Sequence, residues 1–209
     1  MNQNTDALIF DLDGTLWDCT PAIAEAWNAT IDQFDFVDKK LTADDIRNVA
    51  GMPHDDIYEK LFPDLSPEQR HKLQKVSDQL QMEKLKEKGG ELYPQLKETL
   101  EQLQENYKLF IVSNCQVGYI DNFLEFHQLQ HFFTDHACYG DKNRPKGENI
   151  KAVIERNNLK DAIYIGDTKG DYEASQVAEV PFVFARYGFG EVAADVQSID
   201  SFADLRKLF

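Results

Sequence analysis

No stretch of this sequence approaches the roughly 18 consecutive apolar residues needed to cross a bilayer. The opening residues, Met1 to Asp6, are polar and lack the basic and apolar segments of a secretory signal. A cytoplasmic protein without a membrane partner is therefore expected. Cysteine is scarce: Cys19, Cys115 and Cys138 stand far apart, with no CxxC pair to suggest zinc or a redox site. They are expected to be reduced and to fill small spaces in the core. Positive charge is in deficit as well, with 22 Lys and Arg against 37 Asp and Glu and a formal net charge of −15. Such a chain repels the phosphate backbone that attracts nucleic-acid-binding proteins, so nucleic acid is not an expected partner. It also repels small anions at long range, and any phosphate site has to be assembled locally from cations, metal and backbone dipoles. Internal repeats and low-complexity tracts are absent.

What remains is an ordinary globular composition of 209 residues, 42% hydrophobic and 11% aromatic. That suffices for one large domain or a medium one carrying a smaller. Ala7-Leu8-Ile9-Phe10 is a short continuous apolar run, the pattern of a strand buried on both faces of a parallel sheet. Similar runs recur at Leu109 to Val112, Ala162 to Ile165 and Pro181 to Phe184, with a weaker one at Ala137 to Tyr139. Helical patterns lie between them, over Pro94 to Glu105, Tyr119 to Gln128, Gly147 to Asn157 and Asp171 to Ala178. This alternation predicts an α/β fold with a largely parallel sheet.

From about Trp17 to Gly90 the alternation stops, and the patterns are helical with no convincing strand. Thr20-Pro21 reads as a helix start, Thr42 with Asp45 as a second, and Pro53 as a third. Ser66-Pro67-Glu68-Gln69 is a capping box that opens a long helix ending at Gly89-Gly90. The apolar stripes of this insert are expected to pack as core. Trp17, just past the first strand, fits a hinge or a pocket wall as well as it fits the core.

The strand ends carry the chemistry. The first strand runs into Asp11-Leu12-Asp13-Gly14-Thr15, and the second ends in Ser113-Asn114. The run at Ala162 continues into Gly166-Asp167-Thr168-Lys169-Gly170-Asp171, and Lys146 sits in a loop just before a helix. In open parallel sheets ligands bind beyond the carboxyl ends of the strands. Each piece alone has a plain structural reading as a turn, a helix cap or a solvated charge. Together they bring two acid pairs, a hydroxyl and one lysine to a single edge of the sheet.

These motifs, DLDGT at 11 to 15, Ser113 after an apolar strand, Lys146, and GDTKGD at 166 to 171, resemble the haloacid dehalogenase superfamily. The likeness is to its phosphatase branch, the group of phosphoglycolate phosphatase and β-phosphoglucomutase, and spans nearly the whole chain. It implies a Rossmann-like core of residues 1–16 and 91–209, a sheet of order 3-2-1-4-5, and a helical cap of residues 17–90. It also implies a Mg²⁺-dependent phosphatase working through an aspartyl phosphate on Asp11. In that reading Asp11, Asp167 and the backbone carbonyl of Asp13 hold the metal, with Asp171 as an outer partner. Asp13 acts as general acid and then general base, and Lys146, Ser113 and Asn114 bind the phosphate. Thr15 is expected to order the loop. An aspartate at 13 argues against dehalogenase chemistry, which needs no second acid there. The physics agrees: a phosphate monoester dianion resists an anionic nucleophile unless positive charge neutralises its oxygens.

The expected partner is a small phosphorylated metabolite, such as phosphoglycolate, a sugar phosphate or a nucleotide monophosphate, because a cap that shuts over the site excludes bulky substrates. A monomer or weak dimer is expected. Phosphotransfer of the β-phosphoglucomutase type stays open, although Ser113-Asn114-Cys115 looks more like the phosphatase branch; a catalytically silent phosphate-binding module is a further alternative. A receiver domain uses similar residue types, but its acid pair lies on the first strand, its phospho-acceptor on a middle strand and its lysine last. Arg47, Gly51 and His54 lie near a linker between cap helices, where they can face a substrate. A solvated charge, a helix C-cap and a surface histidine describe them somewhat better. Tyr187-Gly188-Phe189-Gly190 either borders the site or only packs, and His71, His127, His131 and His136 lack ligand spacing.

Overall fold

The apolar run at the start forms β1 (Ala7–Phe10), buried along its whole length. The structure is a computed structural model that describes residues 5–209, without the side chains of His54 and Asp55; Met1 to Asn4 of the polar start lie outside the described residues. After β1 come β2 (Trp17–Asp18), α1 (Thr20–Ile31), α2 (Ala43–Arg47), α3 (His54–Leu61) and α4 (Pro67–Lys88). The chain returns through β3 (Glu91–Leu92) and α5 (Leu96–Leu103) to β4 (Lys108–Ser113), α6 (Tyr119–His127) and β5 (Phe133–Cys138). Next are α7 (Lys146–Arg156), β6 (Ala162–Gly166), α8 (Lys169–Ala178), β7 (Phe182–Ala185), β8 (Gln197–Ile199) and α9 (Leu205–Leu208).

The main sheet runs β5-β4-β1-β6-β7-β8, with every pair parallel. The five anticipated strands stand in the order 3-2-1-4-5 with β1 central. The additional edge strand, β8, is a Gln-Ser-Ile segment with no apolar run to announce it. Alternation along β1 sends Leu8 and Phe10 into one core, with Leu100 of α5 and Leu205 of α9. Ala7 and Ile9 enter the other, with Ile150 and Val153 of α7 and Ala174 of α8. Burying each such side chain is worth about 1.5–3 kcal/mol, which is why both faces of a central strand must be apolar. The same alternation carries Asp11 to the side of α7 and α8.

The segment from 17 to 90 is helical as anticipated, except at its base. There β2 pairs antiparallel with β3, Trp17 opposite Leu92 and Asp18 opposite Glu91. Strands of two residues are too short to show any alternation, so the sequence pattern hid them. Thr20 is the first residue of α1 rather than its cap. Asp18 Oδ1 accepts hydrogen bonds from the Thr20 N–H and hydroxyl instead. The capping boxes at Thr42/Asp45 and Ser66/Gln69 are both formed. Trp27 of α1 stacks on Tyr58 of α3 at 4.9 Å and donates to Gln81 Oε1 of α4 at 2.7 Å. Three side chains beyond β4 tie these helices to the sheet: Asn114 donates to the Gly51 carbonyl at 2.9 Å, Gln116 to that of Asp78 at 3.4 Å and Asn122 to that of Met82 at 3.2 Å. Among the described residues no helix is long and apolar enough to cross a membrane.

Candidate active site

Asp11 continues β1 by one residue, its N–H donating to the Ile165 carbonyl at 2.8 Å. Lys146 meets it there. This lysine is the first residue of α7 rather than part of the preceding loop. Its Nζ donates to Asp11 Oδ1 at 2.9 Å and to Asp171 Oδ1 at 2.6 Å, with the three side chains only 4%, 2% and 0% exposed. Asp171 is held by further donors, the Tyr164 hydroxyl on Oδ1 at 3.1 Å and the Thr168 N–H and hydroxyl on Oδ2 at 2.9 and 2.6 Å. Asp167 accepts from the Thr15 hydroxyl at 3.1 Å and from the Phe189 N–H at 2.7 Å. Thr15 thereby ties the first loop to the GDTKGD segment.

Gly14 makes that approach possible. Its φ is +83°, and a Cβ there would lie 2.1 Å from Asp167 Oδ2. Gly14→Ala is therefore expected to lose about 2 kcal/mol of stability from the left-handed backbone and the clash together. For a chain of this size that lowers Tm by roughly 4–8 °C in a thermal melt. An unchanged Tm would mean that the loop yields.

Asp11, Asp167 and Asp171 offer oxygens that all lie within 4.8 Å of one another. Burial, and then the Asp171 charge, push Asp11 up to about 7 in spite of Lys146. Burial with the charges of Asp171 and Asp11 pushes Asp167 well above the usual carboxylate range. Asp171 moves the other way: burial would raise it, but Lys146 and the Thr168 hydrogen bonds outweigh that and hold it low. On Lys146, burial is likewise outweighed by Asp11 and Asp171, which raise it. One lysine does not balance three buried carboxylates, so the donor set fits a hard divalent cation held through oxygen.

Asp13 points elsewhere. Trp17 Nε1, Cys19 Sγ and Tyr119 Oη all donate to its Oδ1, at 2.8, 3.1 and 2.9 Å. Burial pushes its carboxyl up, against the pull of those bonds. Its side chain is outside the three-acid cluster, which leaves only its carbonyl for a metal. Asp11, Asp13, Ser113 and Asn114 line one cavity of about 70 Å³. Asn114 directs its amide N–H to Gly51. Arg47 pairs with Asp18 at 2.8 Å and Asp44 at 2.7 Å and covers the Phe189 ring. Gly51 takes a left-handed φ of +78°, and the His54 side chain lies outside the described residues. Phe189 of the last turn lines the cavity, and Tyr187 donates to the Thr15 carbonyl at 2.8 Å.

The profile of the haloacid dehalogenase-like hydrolase family matches residues 8–185. The chain belongs to that family. Among curated relatives, a phosphoglycolate phosphatase of Aliivibrio fischeri is 27% identical over 219 residues, covering 94% of this chain and 92% of the relative. One from Vibrio cholerae is 28% identical over 205 residues, covering 91% and 89%. A haloacid dehalogenase-like hydrolase structure from Streptococcus pneumoniae superposes with a TM-score of 0.82 at 24% identity over 100% of both chains. A structure described as a predicted phosphoglycolate phosphatase from Haemophilus somnus gives 0.86 at 20% identity over 100% of this chain and 99% of that one.

Sequence reasoning missed the donors around Asp13 in this hydrolase. Cys19 reads in the sequence as core filling, and Tyr119, 106 residues from Asp13, carries no local signal. Trp17, which by sequence fits a hinge, a wall or the core, is fully buried in the two-strand ribbon with its indole N–H on Asp13.

Proposed function

We propose that this hydrolase is a Mg²⁺-dependent phosphatase of small phosphate monoesters, with Asp11 as the nucleophile that carries the phosphoryl group. The observation behind this reading is the buried Lys146 ammonium, held between Asp11 and Asp171 beside Asp167. The phosphatase names of the curated relatives support it. Asp11, Asp167 and the Asp13 carbonyl would hold Mg²⁺, and Asp171 would fix Lys146 from behind. The bound cation would supply charge neutralisation of the phosphoryl oxygens, on which the approach of an anionic nucleophile depends.

An Asp11 carboxylate oxygen bonds to phosphorus as the bond from phosphorus to the ester oxygen breaks, and Asp13 gives that oxygen its proton. Water then attacks the acyl phosphate and loses its proton to Asp13, so inorganic phosphate leaves and the Asp11 carboxylate is restored. Three donors on Asp13 Oδ1 fix its orientation and leave Oδ2 for the substrate. Lys146 is the fixed cation and Ser113 a hydroxyl donor to the phosphoryl oxygens. Helices α1 to α4 are assigned as the cap over a core of residues 1–16 and 91–209, since side chains of both parts wall the cavity.

Hydrolysis of p-nitrophenyl phosphate that requires Mg²⁺ and stops on chelation tests this reading; no release of nitrophenolate with any divalent cation would refute it. Asp13→Asn keeps an acceptor for Trp17, Cys19 and Tyr119, so the fold should survive. Its rate on an alkyl phosphate should fall about 10²- to 10⁴-fold, the usual contribution of a positioned acid and base. Phosphorylation by p-nitrophenyl phosphate, whose phenolate needs no proton, should suffer far less. Equal slowing of phosphoryl transfer from both esters would remove Asp13 from the proton-transfer role.

A further inference from the structure

The cavity over Asp11 has walls whose chemistry the phosphatase reading leaves unused. Ile23, Trp27, Ile46, Val49, Met52 and Ile57 line it from the helical insert, and among the described residues no lysine, arginine or histidine does. Arg47 opens onto neighbouring clefts instead, where Asp18 and Asp44 hold its guanidinium. Lys60 is bonded to the Asn48 carbonyl.

Gln81 of α4 stands out in this wall. Its side chain lines the cavity and is only 6% exposed. The Trp27 indole nitrogen can only donate, and it donates to Gln81 Oε1 at 2.7 Å, so the amide has one permitted orientation. Nε2 is the atom left over from that bond, on a residue that lines the cavity. An amide N–H facing the cavity can donate to an oxygen on a bound molecule.

We propose that the leaving-group side of this site selects phosphate monoesters whose alcohol part is uncharged and mostly apolar, with one neutral oxygen that Gln81 Nε2 reads, and that it refuses a second anion. The proposal rests on the phosphatase reading above. A carboxylate in this space would lose its water among alkyl side chains and beside Asp13, with no lysine or arginine among the described lining residues to pair with it. Phosphoglycolate, in the name of the curated relatives, carries such a carboxylate. On this proposal phosphoglycolate is a poor substrate of this chain.

Hydroxyethyl phosphate and phosphoglycolate are matched in size and differ only in a terminal alcohol against a terminal carboxylate. With Mg²⁺, kcat/KM for the alcohol should exceed that for the carboxylate roughly 100-fold, the scale of a buried polar group left unpaired. An equal or reversed ratio, with p-nitrophenyl phosphate still hydrolysed, overturns the proposal and leaves the phosphatase reading intact. Gln81→Met removes the amide donor at similar volume and leaves Trp27 a weak thioether acceptor. It should abolish a roughly tenfold preference for hydroxyethyl phosphate over ethyl phosphate, which general structural damage would not do, since damage lowers both rates alike. A preference that persists in Gln81→Met removes Gln81 from specificity. If p-nitrophenyl phosphate is hydrolysed but hydroxyethyl phosphate is not, this proposal alone fails; if p-nitrophenyl phosphate is not hydrolysed either, the phosphatase reading fails and this proposal falls with it.

Discussion

Asp11→Asn is expected to slow Mg²⁺-dependent hydrolysis of p-nitrophenyl phosphate at least about 10⁴-fold, because it removes the attacking atom rather than an auxiliary group. The fold should remain. An asparagine oxygen still offers Lys146 an acceptor, and one of three mutually repelling carboxylates disappears. The pH dependence separates this from general damage. Burial and Asp171 raise Asp11 from 3.8 to about 7, so the folded state binds more protons than the unfolded one across that window. Stability of the metal-free wild type should therefore fall as pH rises from about 4 to 7, and Asp11→Asn should lack that component. In parallel melts without Mg²⁺ the variant should gain on the wild type up to about pH 7 and hold its advantage above. An inactive variant that also melts far below the wild type at every pH would indicate that Asp11 serves the fold.

Lys146→Met should show the opposite balance, damaging stability and activity together. Lys146 is the partner of two carboxylates that are 2% and 0% exposed, and a methionine leaves both charges buried and unpaired. Breaking a buried pair in this way typically costs 3–5 kcal/mol, so a loss of about that size is expected in chemical denaturation at pH 7.5. The loss should shrink on acidification. Losing the Lys146 charge raises Asp11 and Asp171, the folded variant takes up protons, and the penalty fades as pH falls towards the ordinary carboxylate range. Turnover should fall at least about 10³-fold, since the fixed cation at the phosphoryl oxygens is lost. A loss under about 1 kcal/mol at pH 7.5 would mean that the pair is not the electrostatic anchor of the site.

The parts legible in sequence were those with local causes. Unbroken apolar runs marked the central strands, because a strand covered on both faces tolerates no polar alternation, and the strand-end acids followed from where such strands stop. The capping box at Ser66 and the helix start at Thr42 with Asp45 were readable because both partners lie within three residues. The β2–β3 ribbon and β8 escaped, since they depend on pairing across the fold; Asp18, which accepts from Thr20 two residues on, is a local cap that the Thr20-Pro21 pattern masks. The cradle around Asp13 escaped because it too depends on pairing across the fold, as did Gln81, whose amide orientation is set by the indole of Trp27 on another helix.

The most direct test of the phosphoryl-enzyme mechanism is to mix Asp13→Asn with p-nitrophenyl phosphate and Mg²⁺, quench rapidly in acid, and map the peptides by mass. With the base for the second step missing, the expected result is one phosphoryl group accumulated on the peptide that contains Asp11 and absent from an Asp11→Asn, Asp13→Asn control. Release of nitrophenolate with no phosphorylated peptide at any time, or with the phosphoryl group on another residue, would contradict it.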